Sequence, residues 1–383
     1  MLLTGLLFAV LAQAPAQDPV PAPVPAPVPA PVPAPALIDL AGEKDRQIIV
    51  DSEKGQYLGH VSTVTLGDGA ILAAYPKGHG RGAIVLKRSD DGGKTWSQRL
   101  PTPENWATSL ETPTLHRVKD PTTGAMRLLC FSGLYPARLA TSEDDGRTWT
   151  SLQPIGEWGG IVVMGDLVTT SDGRLLAYFH DDGRFAVAGG KLSNEMKLFS
   201  TESKDGGKSW GAPRVLHSSS EIHLCEPGIA RSPDGREWTM LLRENRRSKG
   251  SHALVSADEG TTWSAPRELP RWLNGDRHTA RYTPDGRLVI AFRCMDTKSP
   301  YQGDFVAWVG TYADLCENKP GEYLVRLADN KRSADCGYPG VEVLKDGTLL
   351  LTTYGTWTSG EAPYILAVRL KLEELAGKSA TPR

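Results

Sequence analysis

A glutamate, a tyrosine and several arginines stand at matching distances from a repeated Asp-Gly turn. Eight residues before the turn aspartates Asp68, Asp172, Asp234, Asp285 and Asp346 lie His60, Met164, Glu226, Arg277 and Tyr338. Eight or nine residues after them lie Pro76 and Lys77, His180, Arg243, Arg293 and Tyr354. Positions drawn blindly from apolar strands would be mostly apolar, yet most of these are ionisable or phenolic. Near neighbours extend the set: His79, Arg81, Glu111, Asp166, Asp181, Asp182, His223, Asp276 and His278. Charges gathered at one half-buried mouth need partners, and such clusters are where pKa values shift and chemistry concentrates. Each residue also has a plain reading. A lone arginine after a strand is usually a surface residue, Arg243-Glu244 reads as an ordinary salt bridge, and His180-Asp181-Asp182 reads as a loop cap. Agreement of five slots on one rim favours a pocket. No zinc-type Cys/His spacing, HExxH or phosphate-cradling glycine loop occurs, so no metal or other cofactor is expected.

The turns that serve as this ruler imply the elements that carry the set. Asp-Gly between apolar runs is a strong short-range hairpin signal. It recurs at Asp68, Asp172, Asp234, Asp285 and Asp346, with a variant over Pro121 to Leu129, at intervals of about 50 to 62 residues. A second phrase, S-x-D-[DGE]-G-x-[ST]-W, begins at Ser89, Ser142, Ser203 and Ser256 and ends on Trp96, Trp149, Trp210 and Trp263. Asp and Gly make the tight turn, and the indole anchors it. These aspartates are expected to be structural. Repeats of this period mean stacked units. Four strands per unit, six units and few helix signals predict an all-β, six-bladed β-propeller. The stretch Tyr364 to Leu370 is expected to pair with Gln47 to Val50 and close the ring, removing exposed edges. In such a blade the residues before the first strand and after the second open on one end of the central channel. The Asp-Gly turns mark the other end.

Composition bounds the remainder. The chain has 383 residues, and its formal net charge of -2 points to neither nucleic acid nor an anionic membrane as partner. Its five cysteines lack metal-like spacing; Cys130, Cys225 and Cys294 read as buried strand residues, with a Cys316–Cys336 bridge as an alternative. Residues 1–16 read as a signal peptide too short to span a bilayer, although a basic leader is missing. Residues 17–40 read as a Pro/Ala/Val-rich linker, with a polyproline II spacer on the order of 50 Å long within it. The propeller is expected over 41–374, followed by a tail, 375–383. An exported protein, periplasmic, cell-surface or secreted, is therefore expected.

The four phrases match the Asp-box, and the chain from about residue 45 to 372 resembles the sialidase (neuraminidase) superfamily. That resemblance implies glycoside hydrolysis on a carbohydrate partner. It makes Tyr338 the nucleophile and Glu226 the base that activates it, and assigns Arg243 to a substrate carboxylate, which a guanidinium holds bidentately. The chain departs from the family pattern elsewhere. Tyr57-Leu58-Gly59-His60 stands where a Tyr-Arg-Ile-Pro-like run is usual, and Gly355 where a glutamate is usual. Lys77-Gly78-His79-Gly80-Arg81 replaces the loop with the acid aspartate, and only Arg326 and Arg332 stand near the place of the third arginine. The expectation is a sialidase-like glycoside hydrolase removing a terminal, acidic sugar. His79 or Asp181 is the expected proton donor. Arg243, Arg277 and Arg293, with Arg81, His60, His180, Asp166, Asp276, His278 and Tyr354, are the expected binding residues. The alternatives are a non-catalytic glycan-binding propeller, or a His/Tyr-based hydrolase or lyase of another acidic polysaccharide.

Overall fold

Five Asp-Gly turns and the longer Asp120–Gly124 turn each close a hairpin, and these six hairpins are the inner halves of six small sheets set around a channel. The computed structural model describes residues 34–332 and 334–378. Blade 1 has Ser62–Thr65, Ile71–Pro76 and Ile84–Ser89, with an isolated Leu86–Leu100 bridge at its outer edge. Blades 2, 3 and 4 are four-stranded and antiparallel, opening with Thr114–Lys119, Ile161–Thr169 and Leu224–Arg231 respectively. Blade 5 runs Gly275–Tyr282, Leu288–Cys294, Phe305–Gly310 and Tyr323–Ala328. Blade 6 runs Gly337–Val343, Leu349–Gly355 and Tyr364–Leu370, and its fourth strand is Gln47–Asp51 from the start of the described chain. The expected closure of the ring is thus present, with Gln47 opposite Val368 and Ile48 opposite Ala367.

Blade 5 carries a fifth strand. Ala36–Asp39 lies parallel to Tyr323–Ala328, and Asp39 receives Arg326 in a two-pronged ion pair. The chain just before residue 40, expected to be linker, is therefore sheet edge, and Leu40 after it is buried. Arg326 is accounted for here rather than at the pocket. The signal-peptide expectation and nearly all of the linker fall outside the described residues. Among the described residues no helix is long and apolar enough to cross a membrane.

Among the described residues the buried apolar side chains divide into six clusters, one between each pair of adjacent blades. Blade 5 packs on blade 6 through Val289, Phe305, Val341 and Leu349; blade 6 packs on blade 1 through Leu350, Ile365, Ile71 and Ala73. Alternation explains this: successive side chains of a strand point to opposite faces, so each blade feeds two interfaces. The four Asp-boxes repeat one hydrogen-bond set on the outer parts of blades 1 to 4. In the second, Ser142 Oγ donates to Asp144 Oδ1 at 2.8 Å, and Thr148 N and Oγ1 donate to the same carboxylate at 2.9 and 2.6 Å. Asp91, Asp205 and Asp258 are tied in the same way. These aspartates hold turns, as expected. All five cysteines are free, so Cys316 and Cys336 form no bridge; Cys336 is buried in the cluster between blades 5 and 6.

Candidate active site

Five blades share a local irregularity at or just before the inner strand, and four of the residues it carries meet at one mouth. His60, Met164, Glu226, Arg277 and Tyr338 all have φ between 53° and 55°. These are the five residues that stand eight before a turn aspartate. Left-handed backbone costs a non-glycine residue about 1 kcal/mol or more and persists only where surrounding structure imposes it. In blades 3, 4, 5 and 6 a register shift between the first two strands brackets the residue. Such a bulge inserts a residue and re-aims its side chain. Blade 2 lacks the device: its first hairpin is in regular register from Thr114 to Lys119.

Tyr338 and Glu226 meet at the centre. The Tyr338 hydroxyl donates to Glu226 Oε1 at 2.8 Å, and Arg243 Nη1 donates to the same oxygen at 2.7 Å. Glu226 Oε2 is buried without a hydrogen-bond partner among the described residues. Burial alone would raise the Glu226 carboxyl. Arg243, His180 and the Tyr338 hydroxyl outweigh it and hold the group below the usual carboxylate range. Burial, reinforced by the Glu226 charge, pushes the Tyr338 phenol well up. A neutral phenol hydrogen-bonded to an ionised carboxylate is a nucleophile with its base in contact.

Asp276 gathers the arginines. Arg247 grips it with both terminal nitrogens, Arg293 through Nε (2.7 Å) and Nη2, and Arg243 Nε lies 3.3 Å from Oδ1. Burial would raise the Asp276 carboxyl, but Arg293, Arg247 and Arg243 keep it lowered. Arg277 is held differently, donating to the carbonyls of Gly165 and Pro227, with its guanidinium 5.5 Å from the Tyr338 ring centroid. On the other side of Tyr338 stands an aromatic wall. The His60 ring contacts Tyr338 (4.3 Å between centroids), stacks on Tyr354 (4.7 Å) and meets His79 edge-on (4.5 Å). Burial lowers His60 well below the usual imidazole range, and its Nδ1 accepts the Gly80 N–H at 2.9 Å. Tyr57, beside His79, donates its hydroxyl to Asp335 at 2.8 Å.

The structure therefore brings together Tyr338, Glu226, Arg243, Arg277, Arg293, Asp276, His60, His180, Tyr354 and His79, and leaves four expected residues apart. Asp181 caps its own loop, accepting from the backbone of Gly183 and Phe185. His278 is buried against Phe292 with Nε2 on the Leu273 carbonyl. Asp166 lines the central channel, taking the backbone N–H of Ile229 at 2.6 Å. Arg81 is exposed beside a surface recess with Lys77 and Leu110.

Two residues gain roles that spacing did not give them. Arg247, in the loop after Trp238–Glu244, has a positive φ and reaches Asp276 across blades. Glu111, just before the inner strand of blade 2, is raised by burial and further by the Glu226 charge. One of its oxygens takes the Thr112 N–H and hydroxyl, both at 2.8 Å. Gly80 makes room for it: a Cβ there would lie 2.8 Å from Glu111 Oε1. Glu111 stands outside the five-slot ruler because blade 2 lacks the bulge. Its one sequence signal was position, a carboxylate just before an inner strand.

Comparison with known proteins places this geometry in context. Residues 110–351 match the model of a BNR repeat-like domain, and residues 87–98 match a BNR/Asp-box repeat. A sialidase of Bacteroides fragilis (strain YCH46) is 27% identical over 244 residues, which is 52% of this chain and 42% of that protein. The matched part is thus under half of that relative's length. A solved protein of unknown function from Dyadobacter fermentans DSM 18053 superposes with a TM-score of 0.66 at 17% identity, over 85% of this chain and 98% of its own. An α-L-arabinanase of Penicillium chrysogenum, complexed with arabinobiose, gives 0.60 at 16% over 86% and 98%. An intramolecular trans-sialidase of Ruminococcus gnavus gives 0.58 at 14% over 85% and 96%. At these identities the solved structures share a fold with the chain.

Proposed function

The chain belongs to the family of BNR repeat-like domains, the Asp-box propellers of the sialidase superfamily, and on that premise we propose that it is a glycoside hydrolase acting on a terminal sugar. The observation that carries this reading is the 2.8 Å hydrogen bond from the Tyr338 hydroxyl to Glu226. The Tyr338 oxygen attacks the anomeric carbon as the glycosidic C–O bond breaks, and its proton passes to Glu226. Glu111 gives its proton to the departing oxygen, the role expected of His79 or Asp181. Burial and the neighbouring Glu226 charge raise the Glu111 carboxyl above the usual range. Water then attacks the glycosyl–tyrosine bond with Glu111 as base, and the phenolate recovers its proton from Glu226. Two carboxyls driven to opposite protonation states are the usual pattern for such acid–base assignments.

Incubation with a mixed glycan panel, with mass-spectrometric identification of what is released, tests the reaction. Release of a monosaccharide that Tyr338→Phe and Glu226→Ala both abolish supports it. Release unaffected by both removes this mechanism. An exo-sialidase-type reaction on an acidic sugar is the second reading, motivated by the 27% identity to the Bacteroides sialidase. Free sialic acid among the products is its signature. Export belongs to the same proposal and rests on the apolar start and Pro-rich stretch of residues 1–40. Recovery of the native protein only in the cytoplasm would refute it.

A further inference from the structure

A site that clamps a sugar carboxylate needs guanidinium donors with nothing else to hold. Here the terminal nitrogens of three arginines are already engaged. Arg247 places both terminal nitrogens on Asp276. Arg293 places Nε and Nη2 on Asp276 and Nη1 on the Ala334 carbonyl. Arg277 gives its terminal nitrogens to the carbonyls of Pro227 and Gly165. Arg243 has Nη1 on Glu226, and its Nε, buried and without a hydrogen bond, lies 3.3 Å from Asp276 Oδ1, which leaves Nη2. None of the four offers an accessible pair of parallel N–H groups of the kind that bidentate recognition of a carboxylate uses, since the unbonded Arg243 Nε is buried against Asp276. The protein supplies that carboxylate itself, as Asp276, whose side chain is 1% exposed.

The groups left to meet a ligand have the opposite character. Glu226 Oε2 is an unpartnered acceptor, and Asp335 and Glu111 add carboxyl groups near the same mouth. Carboxylates accept from sugar hydroxyls and repel a sugar carboxylate. Tyr57, half-buried, and the exposed His79 present rings suited to the C–H surface of a pyranose or furanose, backed by the buried His60 and Tyr354.

We propose that the sugar accepted here is neutral, bearing hydroxyls and no carboxylate, and that Asp276 fills the arginine cluster that an acidic sugar would need. The inference rests on the carbohydrate-site reading above, and deepens it. Like-charge placement and the loss of a pre-paired arginine make discrimination on the order of 100-fold or more the expected size.

Two measurements separate this from the hydrolase reading. Wild-type protein is incubated with matched pairs of neutral and carboxylate-bearing glycans, and released sugars are identified. In parallel, Tyr338→Phe protein is applied to an array of the same glycans, which reads binding without turnover. Release or binding confined to neutral members supports the proposal. Binding to neutral glycans with no release by the wild type keeps the proposal and defeats the hydrolase. Preferential binding or release of a sialic or uronic acid overturns it, and so does an array with no neutral glycan bound. A third arm uses Asp276→Ala. Added formate should raise its melting temperature and restore neutral-glycan binding, with no effect on wild type. If Asp276→Ala is folded without formate and formate does nothing, Asp276 does not hold a carboxylate position.

Discussion

At Glu226 and Glu111 two carboxyl groups in one mouth are driven apart by what surrounds each. Glu226 has Arg243 on it and stays ionised; Glu111 has burial and the Glu226 charge against it and holds its proton longer. The signs fix a pH profile. Activity needs Glu226 deprotonated, so it falls only as pH drops through a lowered carboxyl value. It needs Glu111 protonated, so it falls as pH rises through a raised one. Glu111→Gln should cut kcat by about 10²- to 10⁴-fold, the usual worth of a general acid, and flatten the alkaline limb of kcat/KM against pH. Glycosides with good leaving groups should lose much less. Tyr338→Phe should lower kcat for all substrates by a comparable or greater factor, with a thermal midpoint close to wild type, because the ring packing on His60 is retained. Most of this mouth was legible from counting: Glu226, Tyr338, Arg243, Arg277 and Arg293 stand on a common spacing. Pairing was not. No spacing says that Arg247 will cross to the next blade and close on Asp276, or that Asp181 will turn back to cap Gly183 and Phe185.

At the scale of the strand, the same counting worked because a bulge recurs. A regular strand would alternate its side chains between the two interblade cores, and none would be presented end-on to the channel mouth. The left-handed residue breaks that alternation in five blades. The sequence pattern carried the distance but not the backbone reason, since Met164 occupies the slot as an apolar residue, buried in the cluster between blades 2 and 3. The Asp-boxes make a separate prediction. At Asp91 burial opposes the shift, but hydrogen bonds from Thr95 and Ser89 prevail; at Asp144 the Thr148 hydroxyl leads. Both carboxyls are lowered to about 2. An unfolded aspartate titrates near about 3.9, so this stabilisation is complete above that pH and is lost as pH falls toward about 2. Urea midpoints should therefore decline across that window. Asp144→Asn should shrink the decline and cost about 1 kcal/mol near neutrality, while leaving kcat/KM unchanged. A fall in kcat/KM would mean that the turn reaches the site.

For the whole molecule, six cores between blades replace one central core, and the ring holds only if the last interface is made. That interface needs Gln47–Asp51 on the edge of Tyr364–Leu370. A protein beginning at Ala34 should melt cooperatively at the midpoint of the full chain. One beginning at Ser52 should lose cooperativity and associate through the bared edge, seen by calorimetry and size-exclusion chromatography. Retention of a sharp transition would show that closure is not required. Ring closure was readable because both partners are apolar runs at opposite ends of the repeat. The strand Ala36–Asp39 was not, because it follows the Pro-rich stretch and its partner is an edge rather than a repeat. This added strand also sets the direction in which the molecule faces. It runs parallel to Tyr323–Ala328 and so starts at the Asp-Gly-turn end of blade 5, and Tyr364–Leu370 finishes at that same end. Lys378 pairs with Glu43, which precedes Gln47–Asp51, so both limits of the described chain lie at that end of the blades. A support, a tag or a cell surface joined at either limit would meet the protein's back, and the mouth with Tyr338 would look away into solution toward arriving glycans.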